Sequence, residues 1–213
     1  MTRKALILVD IQNDFCPGGA LAVPDGDQVI KPANALAERF KARGYPVVAT
    51  QDSHPANHQS FASQHPGAHP GDQITLAGIP QVLWPDHCID GSSGADFNPQ
   101  LRTDLISKVF KKGTNPQVDS YSGFYDNDKK QATGLADYLS SRAVEEVWIC
   151  GLATDYCVKA TALDAAAEGF AVVVYTPACR AVNLQPADGQ SALEELAEAG
   201  CELVGITAPE TPL

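Results

Sequence analysis

Along almost the whole chain, short apolar runs that stop at a polar residue alternate with segments whose apolar residues recur at helical spacing. Few folds accept that pattern. Residues 5–9 (ALILV) are an unbroken apolar run ending at Asp10, as in a strand buried on both faces. Residues 30–43 carry apolar positions at 30, 33, 36, 37 and 40 and are closed by Gly44, an amphipathic helix with its stop signal. The same reading predicts strands over 46–50, 107–111, 144–150, 170–176 and 201–206, and helices over 132–142, 156–168 and 190–199. Strands alternating with helices predict an α/β fold, a three-layer α/β/α sandwich around a mostly parallel sheet of these six strands. The 213 residues are expected to form one domain over 1–213, long enough to bury a full core. Residues 53–99 break the pattern. They are rich in Pro, Gly, His and Ser and read as one long loop, which inside a compact domain is usually functional.

Open α/β sheets place their sites just past the carboxyl ends of the strands. Asp10, Asp52, Lys112 and the turn 151–157 each follow a predicted strand, so these four features should converge. Asp10 alone reads as a turn-forming or capping carboxylate. Cys157, in GLATDYCV, falls in the first turn of a predicted helix, where the dipole and free N–H groups favour a thiolate and an oxyanion. Thr154 or Asp155 could instead cap that helix and do nothing more. Lys112 alone is a solvated strand-end lysine. Beside a carboxylate and a thiol it becomes a fixed positive charge that favours the thiolate and keeps Asp10 ionised or hydrogen-bonded.

All five histidines fall within the 34 residues from His54 to His87, which marks a second locus. In extended chain Asp52 and His54 point the same way, and His87 arrives from WPDHC. Two imidazoles and a carboxylate suit Zn²⁺, Fe²⁺ or Mn²⁺ better than Ca²⁺. His65 and His69 read as ordinary loop residues, and His58 stays undecided. The formal charge of −11, with 26 acidic against 15 basic residues, excludes a nucleic-acid binder and docking on an anionic membrane. The first apolar run is too short for a signal peptide or a membrane span, so a cytoplasmic location is expected. In that reducing compartment the six cysteines, which form no CxxC pair, should be free thiols.

Taken together, these residues resemble a known family. Asp10 in LVDIQNDF, Lys112 in FKKG and Cys157 in GLATDYCV resemble the Asp–Lys–Cys triad of the isochorismatase-like cysteine hydrolases. Within that superfamily QDSHPANHQSF and WPDHC resemble the metal-binding segments of the nicotinamidases, and ADFNP and VDSYSGFYDN fit the same pattern. The resemblance implies an isochorismatase-like fold of Rossmann-like topology. It implies an amidohydrolase that converts nicotinamide, and pyrazinamide, to the acid and ammonia through a Cys157 thioester in NAD salvage. Asp10 would move the protons, Lys112 would hold the charge balance, and the N–H groups of Ala153 and Cys157 would bind the oxyanion. Water activated by Asp10 or by the metal would release the acid. Phe15, Trp84 and Tyr121 would wall a flat ring. One divalent ion, zinc first and iron or manganese after it, would sit on Asp52, His54 and His87 and hold the ring nitrogen. Some relatives add a histidine after His54, and here Ser60 stands in that region, so Ser60 and His58 are both left open. A cis peptide is expected at Leu152–Ala153. The partner is then a small aromatic amide, with a homo-oligomer left open. The alternatives are an isochorismatase, a carbamoylsarcosine amidase, or a non-enzymatic scaffold binding a pyridine metabolite.

Overall fold

A computed structural model describes residues 2–205 of the chain. The apolar run at the start becomes β1 (Lys4–Val9), buried along all but its first residue. It is the centre of a six-stranded sheet completed by β2 (Val47–Asp52), β5 (Lys108–Lys112), β6 (Glu146–Leu152), β7 (Ala171–Arg180) and β8 (Glu202–Val204). A separate antiparallel hairpin pairs β3 (Gln73–Leu76) with β4 (Ile79–Val82). The large sheet runs β5-β2-β1-β6-β7-β8, and every pairing in it is parallel. The order reverses between β1 and β6, and in open α/β sheets a crevice forms outside the carboxyl ends at such a reversal.

The crossover helices explain the continuous apolar strands. Helix α1 (Ile30–Ala42) buries Ile30, Ala33, Leu36, Ala37 and Phe40, the stripe read from the sequence. It links β1 to β2, whereas α3 (Lys159–Ala167) links β6 to β7 in the other direction. Right-handed crossovers of opposite direction put the two helices on opposite faces, which is the expected three-layer arrangement. The short α2 (Leu135–Ser140) leads into β6, and α4 (Asp188–Glu198) packs beside α3. None of the described helices is long and apolar enough to cross a membrane.

Several boundaries differ from the sequence reading. Helix α2 begins at Leu135 rather than 132, because Ala132 is bridged to Tyr125 and Gly134 takes φ 86°. Strand β7 runs on to Arg180, since after a register shift beyond Ile149 its end pairs Cys179 with Gly151 and Arg180 with Leu152. The helix expected from 156 opens instead as a π-turn over Thr154–Val158 before α3 begins. Residue 206, the expected end of the last strand, lies outside the described residues. The stretch 53–99 is also more than a loop. It holds the β3–β4 hairpin, a short 3₁₀ turn, and isolated bridges joining His54 to Ile89 and Phe61 to Trp84.

Candidate active site

The four strand-end features converge as the fold requires. Asp52 and Lys112 are register partners at the ends of β2 and β5. Asp10 follows β1, and Cys157 lies in the π-turn just beyond β6. The Lys112 side chain is fully buried, with its Nζ 3.0 Å from Asp10 Oδ2 and 3.0 Å from Asp52 Oδ1. Its three N–H bonds go to Asp52 Oδ1, to the Ser120 carbonyl at 2.8 Å and to Cys157 Sγ at 3.5 Å. Asp10 Oδ2 therefore feels the charge of Lys112 but accepts no hydrogen bond among the described residues. Its other oxygen accepts the Thr50 hydroxyl at 2.6 Å. One carboxylate oxygen is thus anchored, and the other keeps a free lone pair beside the thiol.

Electrostatics set the resting protonation. Burial drives the Cys157 thiol well above its ordinary value. Lys112 opposes this, but Asp10 and Asp52 add to it. The group at rest is therefore a thiol, because burial outweighs the helix-end and lysine effects that favoured a thiolate in the sequence reading. Burial also raises Asp10, against the pull of Lys112, so this carboxylate is a stronger base than an exposed one. Burial disfavours the Lys112 ammonium, but Asp10, Asp52 and Cys157 reverse that and hold it well above its usual range. Asp52 is held well below the usual carboxylate range, because His54 and Lys112 overcome its burial.

The histidine cluster divides as follows. His54 directs Nδ1 at the Gly113 carbonyl (2.9 Å), and His87 directs Nδ1 at the Pro85 carbonyl (2.8 Å). A carbonyl only accepts, so both Nδ1 atoms carry hydrogen, and both Nε2 atoms turn toward Asp52. Those two Nε2 atoms lie 2.9 and 3.5 Å from the same Asp52 oxygen, Oδ2. This donor set fits a divalent cation, with each imidazole oriented by a carbonyl behind it, and all three residues are buried. His58 lies against His54, ring centroids 4.4 Å apart. Its Nδ1 pairs with Ser60 Oγ at 2.7 Å, and its Nε2 has no partner among the described residues. With His54 and Asp119 it forms a second donor cluster next to the first. His65 is tied to the Gln59 carbonyl at 2.8 Å, and the His69 side chain is 83% exposed, so both stay in the loop.

A cavity runs from Cys157 and Ala153 to Asp52 and His87. Phe15, Trp84 and Tyr121 line it as expected, and so do Tyr156 and Asp119, which the sequence reading missed. Tyr156 meets Trp84 edge-on at 4.9 Å and Tyr121 at 5.4 Å. Its position beside Cys157 in the same motif was the available signal. Asp155 is not a helix cap. Its carboxylate accepts the N–H groups of Val182 and Asn183 and so fastens the loop after β7 to the turn that carries the thiol. The Leu152–Ala153 peptide is cis.

LVDIQNDF also carries two residues whose part the sequence did not reveal. The Gln12 amide donates to the Asp52 carbonyl and accepts the Asp52 N–H, both at 2.8 Å, which pins the backbone under the carboxylate that faces His54 and His87. Asp14 Oδ2 accepts the Cys88 N–H at 2.7 Å, fixing the chain next to His87. All six cysteines are free and buried.

Comparison with known proteins gives a consistent picture. The Isochorismatase domain family matches residues 4–208. A nicotinamidase of Escherichia coli (strain K12) is 52% identical over 203 residues, covering 95% of each chain. The structure of an Acinetobacter baumanii nicotinamidase/pyrazinamidase superposes with a TM-score of 0.91 at 41% identity, covering 96% of this chain and 97% of that one. A pyrazinamidase of Pyrococcus horikoshii in complex with zinc gives 0.79 at 39% identity, covering 96% and 99%.

Proposed function

The chain belongs to the isochorismatase-domain family, and from that premise we propose that it hydrolyses nicotinamide to nicotinate and ammonia through a thioester on Cys157, with pyrazinamide as a second substrate. The observation that carries the reading is the thiol, the free-edged carboxylate and the buried lysine in contact beside a cavity lined by aromatic side chains. The near-full-length likeness to nicotinamidases supports the substrate.

Asp10 Oδ2 takes the thiol proton as Sγ attacks the amide carbon, and Lys112 keeps the charge balanced while the proton moves. The N–H groups of Ala153 and Cys157 hold the tetrahedral oxyanion. Asp10 returns the proton to the departing nitrogen, which leaves as ammonia, and the acyl group stays on sulfur. A water then enters, Asp10 takes one of its protons, and the hydroxide attacks the thioester. The thiolate leaves, recovers the proton from Asp10, and nicotinic acid departs and ionises. The raised affinity of Asp10 for protons suits a group that must accept and release one in each half of the cycle.

Asp52, His54 and His87 would hold a divalent ion, zinc first, in line with the zinc complex of the Pyrococcus horikoshii relative. When bound, the ion supplies a coordination position for the ring nitrogen and so orients the ring. Phe15, Trp84 and Tyr121 then bracket the ring faces. The test is ammonia release from nicotinamide and pyrazinamide, with and without chelator, beside elemental analysis of the purified protein. Release from either amide that fails with Cys157→Ala is the expected result. No release under any condition overturns the reading.

A further inference from the structure

The β3–β4 hairpin is an anomaly in this fold. Its turn is Ala77–Gly78, both at positive φ, as a two-residue type I′ connection needs. Its apolar side chains Ile74, Leu76, Ile79 and Val82 are only half-buried. The one buried side chain it carries is polar: Gln81, 2% exposed. A hairpin that contributes no apolar side chain to the core, yet drives an amide inward, is built to deliver that amide.

The amide's surroundings are specific. Gln81 Nε2 lies 2.7 Å from the Val82 carbonyl, 2.8 Å from Asp119 Oδ2 and 3.1 Å from the Tyr121 hydroxyl. The first two atoms are acceptors, so the nitrogen must face them and the flipped amide is excluded. The Tyr121 hydroxyl receives a second donor, Trp84 Nε1, at 3.2 Å. Gln81 therefore ties a buried carboxylate to the single oxygen shared by two of the aromatic walls. Both walls rest edge-on against the third, Tyr156. Gln81 itself does not line the cavity.

We propose that Gln81 is a positioning residue that sets the separation of the Trp84 and Tyr121 walls, and through it the ring size the site accepts. The inference rests on the amide-hydrolysis reading above. Losing the one hydrogen bond that Gln81 gives to the walls should weaken binding of a flat ring roughly tenfold. The chemistry at Cys157 should be touched much less.

The test compares Gln81→Leu, close in volume but without donors, with Gln81→Glu, which sets a second carboxylate against Asp119. Thr75→Ala, exposed on the same hairpin, is the control. For nicotinamide, KM should rise about tenfold in Gln81→Leu and further in Gln81→Glu, with kcat within roughly threefold. Activity on quinoline-3-carboxamide relative to nicotinamide should increase, and Thr75→Ala should match wild type. If Gln81→Leu does not fold, Gln81→Met is read the same way. A lower melting temperature with unchanged KM reduces Gln81 to a structural residue and overturns the proposal. A fall in kcat at constant KM overturns it too. If wild type hydrolyses neither amide, the functional reading fails separately. Gln81 is then judged by acrylamide quenching of Trp84 in a Trp148→Phe background. Greater quenching in Gln81→Leu supports wall positioning, and unchanged quenching rejects it.

Discussion

Replacing Lys112 by Met tests the charge accounting of the site most directly. In the native centre one ammonium faces two buried carboxylates, Asp10 and Asp52. Methionine fills the space but leaves two negative charges where there had been a net one. His54 still faces Asp52, but without the lysine Asp10 is a buried charge with no positive partner, which is prohibitive, so Asp10 takes up a proton and restores the original net charge. From the ordinary carboxylate value of 3.8, that protonation at pH 7 costs about 4 kcal/mol, at roughly 1.4 kcal/mol per pH unit. The folded variant then binds a proton that the unfolded chain does not, so its stability falls as pH rises. By the same arithmetic the penalty shrinks to about 1.6 kcal/mol at pH 5. For a chain of this size the melting temperature should drop by roughly 8–16 °C at pH 7 and 3–7 °C at pH 5. Adding Asp10→Asn removes the surplus charge, so the double variant should recover most of the loss and lose the pH dependence. The assay is thermal melting of chelated wild type, both single variants and the double variant at the two pH values. A gap that is constant or wider at pH 5, or a double variant no more stable than Lys112→Met, refutes the accounting.

Other expectations concern turnover and metal. Cys157→Ala and Asp10→Asn should each lower ammonia release by about a thousandfold or more while the protein still folds; an Asp10→Asn enzyme keeping a tenth of its kcat would remove the proton role. The proposed mechanism uses Asp10 as the unprotonated base, and its affinity for protons is raised, so kcat/KM should fall as pH drops through an acid limb lying above 3.8. Thr50→Val removes the hydrogen bond that lowers Asp10 and should move that limb to higher pH; a shift to lower pH contradicts the assignment. His87→Ala should reduce metal content and raise KM more than it lowers kcat, and full occupancy with native KM would exclude His87 from the site. At Gly113, φ +67°, an added Cβ would meet the His54 ring and the Asp52 carboxylate, so Gly113→Ala should cut metal stoichiometry, measured by elemental analysis.

Legibility in the sequence followed the range of the interaction. Strands and helices were readable because the period of burial is written in consecutive residues, as in α1 and β1. Asp10, Lys112 and Cys157 were readable because strand ends in such a sheet converge, so position along the chain implies position in space. Gln12, Asp14, Gln81 and Asp119 were not, because each acts through partners 38 or more residues away, such as Asp52 for Gln12, Cys88 for Asp14 and Asp119 for Gln81. No local pattern announces a glutamine that will hydrogen-bond across such a gap. The resting state of Cys157 escaped as well. A helix start is visible in sequence, but the degree of burial that reverses its effect on a thiol is not.

The pairing of Asp52 with Lys112 across β2 and β5 makes the active centre a matter of reading frame. Strand β5 lies at the sheet edge and spells Lys-Val-Phe-Lys-Lys, with Phe110 and Lys112 buried and Val109 and Lys111 outside. A slip of one residue would turn Lys111 inward and Lys112 outward, since side chains alternate. The doubled lysine cannot tell the two frames apart, because either would offer an ammonium to Asp52. What distinguishes them is the preceding step, phenylalanine inward in one and valine inward in the other. Lys111, engaged outside with Asp90 at 2.6 Å, reinforces the choice. The phase of the buried lysine is therefore kept by a neighbour two residues back that does not line the cavity, and mutation of Phe110 is as much a change of alignment as a change of core.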